Sequence, residues 1–425
     1  MLNRLLFAVL HPLWRLVDAL LPKRPDHWAF ATHHLHTGRF IENQRALFEH
    51  IKNDPAIRKI IFYRGPTPDL QIEGGVRHEA VRLGSWRSFL LLARCQVLFV
   101  THSISMDFSL RWGGRQFSIL KLDMKHRLVV NLWHGIPLKR LLYATNEQTL
   151  KHTDRVKYRF EERKHYAGLI ASSDIDSYAM AAMFFPLNYR QIWLTGLPRN
   201  DFLLNDETQL PGYIRSSIER IRTIRHNRRL VLYAPTYRQT DVSPDAYYYQ
   251  FSDSEIAQLK AVLRANNAVL GYRPHYFKNS DEYFNLDRYI DNELVFDFSQ
   301  AIVPEFSAIA RECDLLVTDY SSVYIETLYL GKPAICFGYD IEHYQRHQDG
   351  LLYDLSLVFP GPVCHTFVAV IEAIGERLAA PSGKIAAEQE LCEKFFFRHR
   401  DNHNSERVRE MVRLCLTDDN GKPRA

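Results

Sequence analysis

The chain has 425 residues, of which 46% are hydrophobic and 24% charged, a composition typical of a globular protein with two or three domains. Its formal net charge of +5 is modest. No block of lysines and arginines stands out, which argues against a nucleic-acid-binding protein. The six cysteines are scattered without a Cys-x-x-Cys pair, so neither a zinc cage nor a disulfide framework is predicted.

The first 24 residues resemble a signal peptide in their hydrophobicity. Arg15 and Asp18 interrupt the apolar run, however, and no small-residue cleavage site follows. The segment is also too short and too charged to span a bilayer. On a helix, Arg15 and Asp18 lie opposite Leu13, and Trp14 suits a headgroup region. We therefore predict an amphipathic helix that associates with an anionic membrane surface. The alternative is a helix packed on the protein's own surface.

From Pro25 onwards, short β-rich runs alternate with helical stretches, which is the rhythm of a parallel sheet covered by helices. In the first half we predict strands at 28–31, 59–63, 97–100, 128–131, 168–171 and 192–194, and helices at 42–53, 84–94 and 174–184. The pattern pauses over 200–228 and then restarts. In the second half we predict strands at 230–233, 269–272, 294–296, 315–317 and 334–337, and helices at 255–266 and 321–330.

These two series predict an α/β protein with two Rossmann-like, doubly wound domains that face each other across a cleft, the glycosyltransferase B-type architecture. The predicted segments are the helix 1–24, domains over 25–205 and 206–400, and a final helix end with a polar tail over 401–425. Ligands of such sheets bind at the carboxyl ends of the strands, so the residues that follow each strand are the candidates for chemistry.

The first strand-end motif runs from Asn131 to Arg140. His134 follows a buried strand and can take a proton from an attacking hydroxyl, because its ordinary pKa lies near 6.5. Gly135 lets the backbone approach a ligand closely, and Lys139 and Arg140 are candidates to meet a phosphate. A structural histidine that hydrogen-bonds a loop is the alternative.

Two further motifs follow strands of the second half. In the segment 233–238, Thr236 and the neighbouring amides are candidates to hold a phosphate, and Arg238 is a candidate to pair with it. An ordinary turn with a solvated arginine is an equally good interpretation. Arg273 and His275 bring a second guanidinium and a second imidazole, which can stabilise charge on a transferred phosphoryl group.

The fourth motif runs from Thr318 to Glu326, where a strand gives way to a helix. Asp319 or Ser321 is a good N-cap, and the exposed amides together with Ser321 and Ser322 form a candidate pyrophosphate site. Glu326, about one turn further on, is a candidate to bind a ribose hydroxyl. A plain capped helix is the alternative interpretation.

Other motifs are missing from the sequence or carry little information. We find neither a Gly-x-x-x-x-Gly-Lys-Ser/Thr loop nor a Gly-x-Ser-x-Gly elbow. His33, His34 and His36 are clustered but have no partnering carboxylates in metal-ligand spacing, so we interpret them as acceptor-side or structural residues and predict no metal requirement.

Five motifs occur in one fixed order that resembles the CDP-glycerol glycerophosphotransferase family, which includes teichoic-acid primases and polymerases. The similarity covers roughly residues 28–400. The motifs are Trp133-His134-Gly135-x-Pro137, Gly196-x-Pro198-Arg199-x-Asp201, Ala234-Pro235-Thr236-Tyr237-Arg238, Arg273-Pro274-His275 and Thr318-Asp319-Tyr320-Ser321-Ser322. The resemblance also reaches back to Asn43-Gln44-Arg45-Ala46-Leu47-Phe48-Glu49.

The resemblance implies that His134 and His275 are essential and that the C-terminal domain binds most of the donor. The implied donor-side residues are Arg238, Ser321, Ser322 and Glu326, and we add Thr236, Arg273, Thr318 and Asp319 of the same motifs as donor or phosphate-binding candidates. The acceptor-side or auxiliary residues are Trp133, Gly135, Lys139, Arg199 and Asp201.

The resemblance implies transfer of glycerol phosphate or a related polyol phosphate from CDP-glycerol or CDP-ribitol to an acceptor hydroxyl, with release of CMP. It implies a membrane-associated acceptor, lipid-linked or oligomeric, in capsule or teichoic-acid synthesis. From the residues themselves we predict no required cofactor and, from the N-terminal helix, a peripheral position on the cytoplasmic face of a bacterial membrane. Two alternatives remain open: a sugar transferase of the same fold that uses a nucleotide sugar, and a non-catalytic scaffold of the assembly complex.

Overall fold

The computed structural model describes residues 2–33, 38–108, 126–141, 160, 162–238, 248–275, 284–348, 350–379 and 387–417. The chain divides into two compact units. Unit 1 comprises Met1–Gly135, Arg155–Phe202 and Asp401–Ala425, and unit 2 comprises Ile136–Asp154 and Leu203–Arg400. The chain therefore passes to unit 2 after Gly135, back to unit 1 at Arg155, to unit 2 again after Phe202, and finally to unit 1 at Asp401. The linear partition predicted from the sequence has one crossing between its two domains, after residue 205, and assigns 401–425 to neither domain.

Unit 1 is built on a seven-stranded sheet in the order β3-β2-β1-β4-β5-β6-β7, and every neighbouring pair is parallel. The strands are β1 (Arg24–Ala31), β2 (Arg58–Tyr63), β3 (His78–Arg82), β4 (Cys95–Val100), β5 (Leu128–Asn131), β6 (Tyr166–Ile170) and β7 (Ile192–Trp193). The direction of winding reverses between β1 and β4. Ligands of open α/β sheets bind beside such a reversal, at the carboxyl ends of the strands.

Helices and aromatic side chains complete unit 1. The helices are α1 (Leu2–Leu20), α2 (Glu42–Ile51), α3 (Trp86–Arg94), α4 (Ile104–Asp107) and α5 (Asp174–Met183), together with the C-terminal α15 (Asn404–Leu416). Ser85 and Ser173 cap α3 and α5 by accepting hydrogen bonds from backbone amides. In the core, the Phe30 ring stacks on Phe99 at 4.9 Å between ring centroids.

Helix α1 packs on unit 1 through a face that the sequence pattern did not predict. Trp14 is buried against Phe89, with ring centroids 5.7 Å apart. Asp18 is buried as well, and its Oδ2 accepts a hydrogen bond from Arg127 at 2.9 Å. The interpretation of Trp14 as a residue of the membrane face is therefore wrong. Among the described residues, no helix combines the length and apolarity needed to cross a bilayer.

Unit 2 contains a second parallel sheet, of six strands in the order β10-β9-β8-β11-β12-β13. The strands are β8 (Arg229–Ala234), β9 (Ala268–Tyr272), β10 (Val295–Asp297), β11 (Leu315–Thr318), β12 (Ala334–Phe337) and β13 (Val363–Cys364). Here the winding reverses between β8 and β11. The predicted fold class, with two Rossmann-like doubly wound domains, is thus confirmed for each unit.

The described helices of unit 2 cover a core built from Val231, Leu270, Val317 and Phe337 on four different strands. The helices are α6 (Asp201–Leu204, which begins in unit 1), α7 (Gly212–Arg225), α8 (Asp253–Ala265), α9 (Phe306–Glu312), α10 (Val323–Tyr329), α11 (Ile341–His347), α12 (Leu355–Val358), α13 (Phe367–Ala379) and α14 (Ala387–Phe396). Each predicted strand and helix overlaps an observed one. The sequence analysis missed β3 and β13.

Candidate functional site

Three histidines follow three neighbouring strands of unit 1, beside the reversal in winding. His33 follows β1, His102 follows β4 and His134 follows β5. The His102 ring lies 5.2 Å from the His33 ring and 5.2 Å from the His134 ring, measured between centroids. We call these three residues the histidine cluster. Because parallel strands end at the same edge of a sheet, residues distant in sequence become neighbours here.

The backbone that carries the cluster is held in an uncommon conformation. Trp133 has φ of 44° and Glu42 has φ of 61°. Both values lie in the left-handed region, which residues other than glycine rarely adopt. The Trp133 amide donates a hydrogen bond to Oδ1 of Asn131 at 2.8 Å, and the Trp133 ring lies 3.9 Å from the His134 ring. Strained residues of this kind persist where the surroundings fix them, and they concentrate at functional sites.

The first turn of α2 supplies that fixation. Nδ2 of Asn43 donates to the carbonyl oxygens of Leu132 at 2.8 Å and Trp133 at 3.1 Å, while its Oδ1 accepts from the Arg199 amide at 3.0 Å. The next side chain, Gln44, accepts from the Ala31 amide at 2.7 Å and donates to Oγ1 of Thr101 at 3.0 Å. The side-chain amides of Asn43 and Gln44 therefore hydrogen-bond the chain at the ends of β1, β4 and β5 to helix α2.

The surroundings of the cluster shift the pKa values of His134 and His102 in opposite directions. Burial and the nearby positive charges of His102, Arg199 and His33 lower the pKa of His134 well below its ordinary value of 6.5. Burial also acts to lower the pKa of His102, but Asp107 outweighs it and raises that pKa. The distance from Nδ1 of His102 to Oδ1 of Asp107 is 3.8 Å. Burial and the neighbouring charges therefore favour the unprotonated imidazole of His134, which is the form that can accept a proton.

Arg199 and Asp201 have different uses in unit 1. Arg199 lies at the cluster, with its Nη1 3.9 Å from Glu42, which in turn lies 3.9 Å from Nε2 of His33. Asp201 is buried and accepts hydrogen bonds from the amides of Asn404 at 2.9 Å and Ser405 at 2.8 Å. Its carboxylate therefore holds the start of α15, and the auxiliary role of Asp201 at the acceptor stays a prediction.

The sequence analysis missed His102, because its motif contains neither a glycine nor a proline and its partner Asp107 follows five residues later. The position of His102 at the end of a predicted strand was the available signal. His33 was interpreted as an acceptor-side or structural residue, and the structure places it in the cluster. His34 and His36 lie outside the described residues.

The reversal in unit 2 also brings two motifs together. Oδ1 of Asp319, after β11, accepts hydrogen bonds from the amides of Thr236 at 2.8 Å and Tyr320 at 2.7 Å. Thr318 is fully buried and donates to the Ala234 carbonyl at 2.7 Å, so its hydroxyl joins β11 to β8. The Thr236 hydroxyl is buried and has no hydrogen-bond partner among the described residues.

Arg238, a predicted donor-side residue, is bound by acidic side chains within unit 2. The side chain is completely buried, with Nε and Nη2 2.9 and 3.0 Å from the two carboxylate oxygens of Asp340 and Nη2 2.9 Å from Asp319. Its Nη1 donates to the Thr236 carbonyl at 3.0 Å. Two carboxylates and a carbonyl surround the guanidinium, so it joins the loops after β8, β11 and β12.

Arg273 is likewise used inside unit 2. Its Nη1 donates to the carbonyls of Phe298 at 2.9 Å and Val303 at 2.7 Å. These bonds fix the loop after β10, and the donor-side role of Arg273 stays a prediction. Two residues further on, the half-buried ring of His275 stacks on Tyr237, with centroids 5.6 Å apart, and so the second and third motifs meet.

The remaining predicted residues of unit 2 surround α10 and α11. The N-cap of α10 is Ser322 and makes no side-chain hydrogen bond to the helix, so the predicted capping by Asp319 or Ser321 is wrong. Ser321, Ser322 and Glu326 are half-buried. Nζ of Lys139 lies 5.7 Å from the Tyr344 ring centroid, and Nη2 of Arg140 donates to the Gln345 carbonyl at 3.1 Å.

The two parallel, doubly wound sheets define an α/β protein with two Rossmann-like domains. The family model of CDP-glycerol:poly(glycerophosphate) glycerophosphotransferase matches residues 17–414. The chain therefore belongs to that family. The teichoic acid ribitol-phosphate primase of Bacillus spizizenii is 25% identical over 427 residues, covering 98% of each chain.

Other relatives extend beyond the matched part. The teichoic acid poly(glycerol phosphate) polymerase of Bacillus subtilis is 31% identical over 264 residues, which cover 61% of this chain and 34% of that protein. The match thus spans about a third of that relative's length. A solved structure of the wall teichoic acid polymerase TagF, soaked with CDPG, has a TM-score of 0.71 at 19% identity and covers 94% of this chain and 91% of that one. This likeness supports the fold.

Proposed function

We propose that this protein transfers glycerol phosphate, or a related polyol phosphate, from a CDP-polyol donor to an acceptor hydroxyl and releases CMP, in the synthesis of a cell-surface polymer. The observation that carries the proposal is the place of His134 in the histidine cluster, after β5 and beside the reversal of the first sheet, in a chain that belongs to the glycerophosphotransferase family. Relatives that act with glycerol phosphate and with ribitol phosphate both occur among the similar proteins, so the polyol stays open between these two.

In the proposed reaction, an acceptor oxygen attacks the β-phosphorus of the donor while His134 takes the proton of the hydroxyl. The new oxygen–phosphorus bond forms as the bond to the CMP phosphate breaks, and CMP carries away the electron pair. Positioning and charge stabilisation supply most of the rate enhancement in such phosphoryl transfers. We assign charge stabilisation to His275, which the stacked Tyr237 ring holds after β9.

The donor site is proposed at the carboxyl ends of β8 and β11 in unit 2. The buried hydroxyl of Thr236 and the backbone around Ser321 and Ser322 are the groups that support it. Arg238 and Arg273 contribute by holding these loops, and neither is assigned a contact with the donor. Among the described residues, no group of three His, Cys, Asp or Glu side chains is arranged to hold a metal ion.

We further propose that α1 and α3 dock on the anionic inner surface of the cell membrane, where a lipid-linked acceptor would be presented. Val9, Leu13, Leu16 and Leu20 of α1 are exposed at helical spacing. Trp86 and Leu90 of α3, which packs on α1, are exposed as well. Exposed Arg15 and Arg94 belong to the same two helices. Apolar side chains with basic neighbours favour an anionic lipid surface.

Flotation with vesicles tests this docking. Trp86→Glu is expected to reduce binding to phosphatidylglycerol vesicles at least tenfold, since burying one large apolar side chain contributes roughly 1.5–3 kcal/mol. Leu357→Glu, at a residue 67% exposed in unit 2 compared with 74% for Trp86, is the matched control and should bind like the parent. Equal binding of both variants would refute this surface.

A donor panel tests the transfer itself. The protein is incubated with a short synthetic acceptor and with CDP-glycerol, CDP-ribitol, CMP-sialic acid or a UDP-sugar, and nucleotide release and product mass are measured. The proposal predicts CMP release and a mass gain of one or more polyol phosphates with a CDP-polyol only. A product that carries a sugar would identify a glycosyltransferase, and no turnover with any donor would support the scaffold alternative.

A further inference from the structure

His102 is the middle member of the histidine cluster, and the transfer proposed above gives it no role. Its ring lies between those of His33 and His134, 5.2 Å from each. The side chain is only 13% exposed, and its neighbour Asp107 is fully buried. A buried acid beside a nearly buried imidazole is costly unless the two stabilise each other's charged forms.

The loop that carries this pair is fixed from several sides. Oδ2 of Asp107 accepts hydrogen bonds from the amides of Thr101 at 2.8 Å and His102 at 3.1 Å. Glu162 accepts from the Ile104 amide at 2.7 Å. Arg64 donates to the Met106 carbonyl at 2.5 Å. These bonds hold the Asp107 carboxylate beside His102 and hold His102 beside His134.

We propose that His102, held by Asp107, is a positioning residue for His134: it keeps a cationic ring next to the imidazole that takes the acceptor's proton, and so keeps that imidazole unprotonated before transfer. The inference rests on the proposed function in that it takes His134 as the proton acceptor. After transfer, the same cation favours loss of the proton from His134 to solvent, which restores the free imidazole for the next acceptor.

The charged groups around the cluster decide the sign of this effect. His33 and Arg199 add positive charge near His134, whereas Glu42 adds negative charge. Asp107 outweighs burial and raises the pKa of His102. Among the charges that lower the pKa of His134, His102 has the largest effect. Removing the His102 charge must therefore raise the pKa of His134 and move the acidic limb of the rate profile to higher pH.

The test compares His102→Gln, Asp107→Asn and the double variant with the parent protein, using CDP-glycerol and a synthetic acceptor between pH 5 and 9. We expect the acidic limb of kcat to move up by roughly 0.5–1 pH unit in His102→Gln. Coulomb's law gives a shift of about this size for two unit charges about 5 Å apart in a medium with a dielectric constant close to that of water. Asp107→Asn should move it in the same direction, because the variant removes the carboxylate that stabilises the positive charge of His102. The double variant should move no further than His102→Gln.

The matched control is His165→Gln, an exposed histidine of unit 1 outside the cluster, which should leave the limb in place. A lower kcat in His102→Gln with an unmoved limb would overturn the proposal, because a merely structural role predicts that result. Additive shifts in the double variant would also contradict it, since His102 and Asp107 would then act independently.

A second readout separates this inference from the proposed function. The rate at which diethyl pyrocarbonate modifies His134 is followed against pH by peptide mass spectrometry, without donor or acceptor. The inference predicts that half-maximal reactivity of His134 moves to higher pH in His102→Gln. If this shift is found but no donor supports transfer, the proposed function fails and the electrostatic coupling stands. If the shift is missing while transfer proceeds, the coupling fails alone.

Discussion

The reversal points of the two sheets use their ionisable side chains in opposite ways. In unit 1, His134 is half-buried, and burial together with nearby positive charges lowers its pKa. In unit 2, Arg238 is wholly buried, and Asp340 and Asp319 bind its guanidinium. The same strand-end position thus carries the proposed proton acceptor in one sheet and a buried ion pair that joins loops in the other. Position at a strand end marks a candidate, and the partners decide its use.

The largest expected effect is a loss of stability in Arg238→Met, which removes the ion pairs with Asp340 and Asp319. The variant leaves two buried carboxylates without their cation, and breaking a buried ion pair typically costs about 3–5 kcal/mol. We expect unfolding in urea at a much lower midpoint. Arg346→Met, at an exposed arginine of the same unit, is the control and should change the free energy of unfolding little.

An unchanged stability of Arg238→Met would contradict this contrast between the two units. If the variant unfolds like the parent but loses affinity for CDP-glycerol in titration calorimetry, then Arg238 pairs with the donor phosphate, as the sequence motif suggested. The two units would then use their strand-end residues in the same way.

A smaller loss of stability is expected from Gly196→Ala, which tests the packing between Gly196 and Asn404 in unit 1. Gly196 has φ of 72°, and an added Cβ would lie 1.8 Å from Oδ1 of the buried Asn404. Overpacking and left-handed strain together cost about 2–4 kcal/mol. Gly75→Ala, with φ of 63° and nothing within 4 Å, isolates the strain and should cost about 1 kcal/mol. Equal thermal shifts in the two variants would show that the contact with Asn404 is unimportant.

The smallest expected effect on stability, with a clear effect on rate, comes from Asn43→Ala. The variant leaves the buried carbonyls of Leu132 and Trp133 without their donor, at a cost of about 1–3 kcal/mol. Because the His134 loop then loses its support, we expect kcat to fall at least tenfold with KM nearly unchanged. A rise in KM at constant kcat would instead place Asn43 in contact with substrate.

Much of the fold was predictable because apolar runs of four to six residues mark buried parallel strands. Strand β3 escaped because only Val81 of its five residues is buried, and β13 because it has two residues. The position of His134 was predictable from its strand. The use of Arg238 was not, since its partner Asp340 lies about a hundred residues away and only the folded sheet brings them together. The burial of Trp14 likewise depends on Phe89 of α3.

The central claim is that unit 1 supplies the proton acceptor for transfer and that donor binding belongs to unit 2. The most direct measurement is CMP release and CDP-glycerol affinity for His134→Asn in parallel with the parent. The account predicts affinity within about twofold of the parent and CMP release slower by roughly 10²–10⁴-fold, the usual contribution of a general base. Near-normal CMP release, or loss of donor binding together with activity, would contradict it.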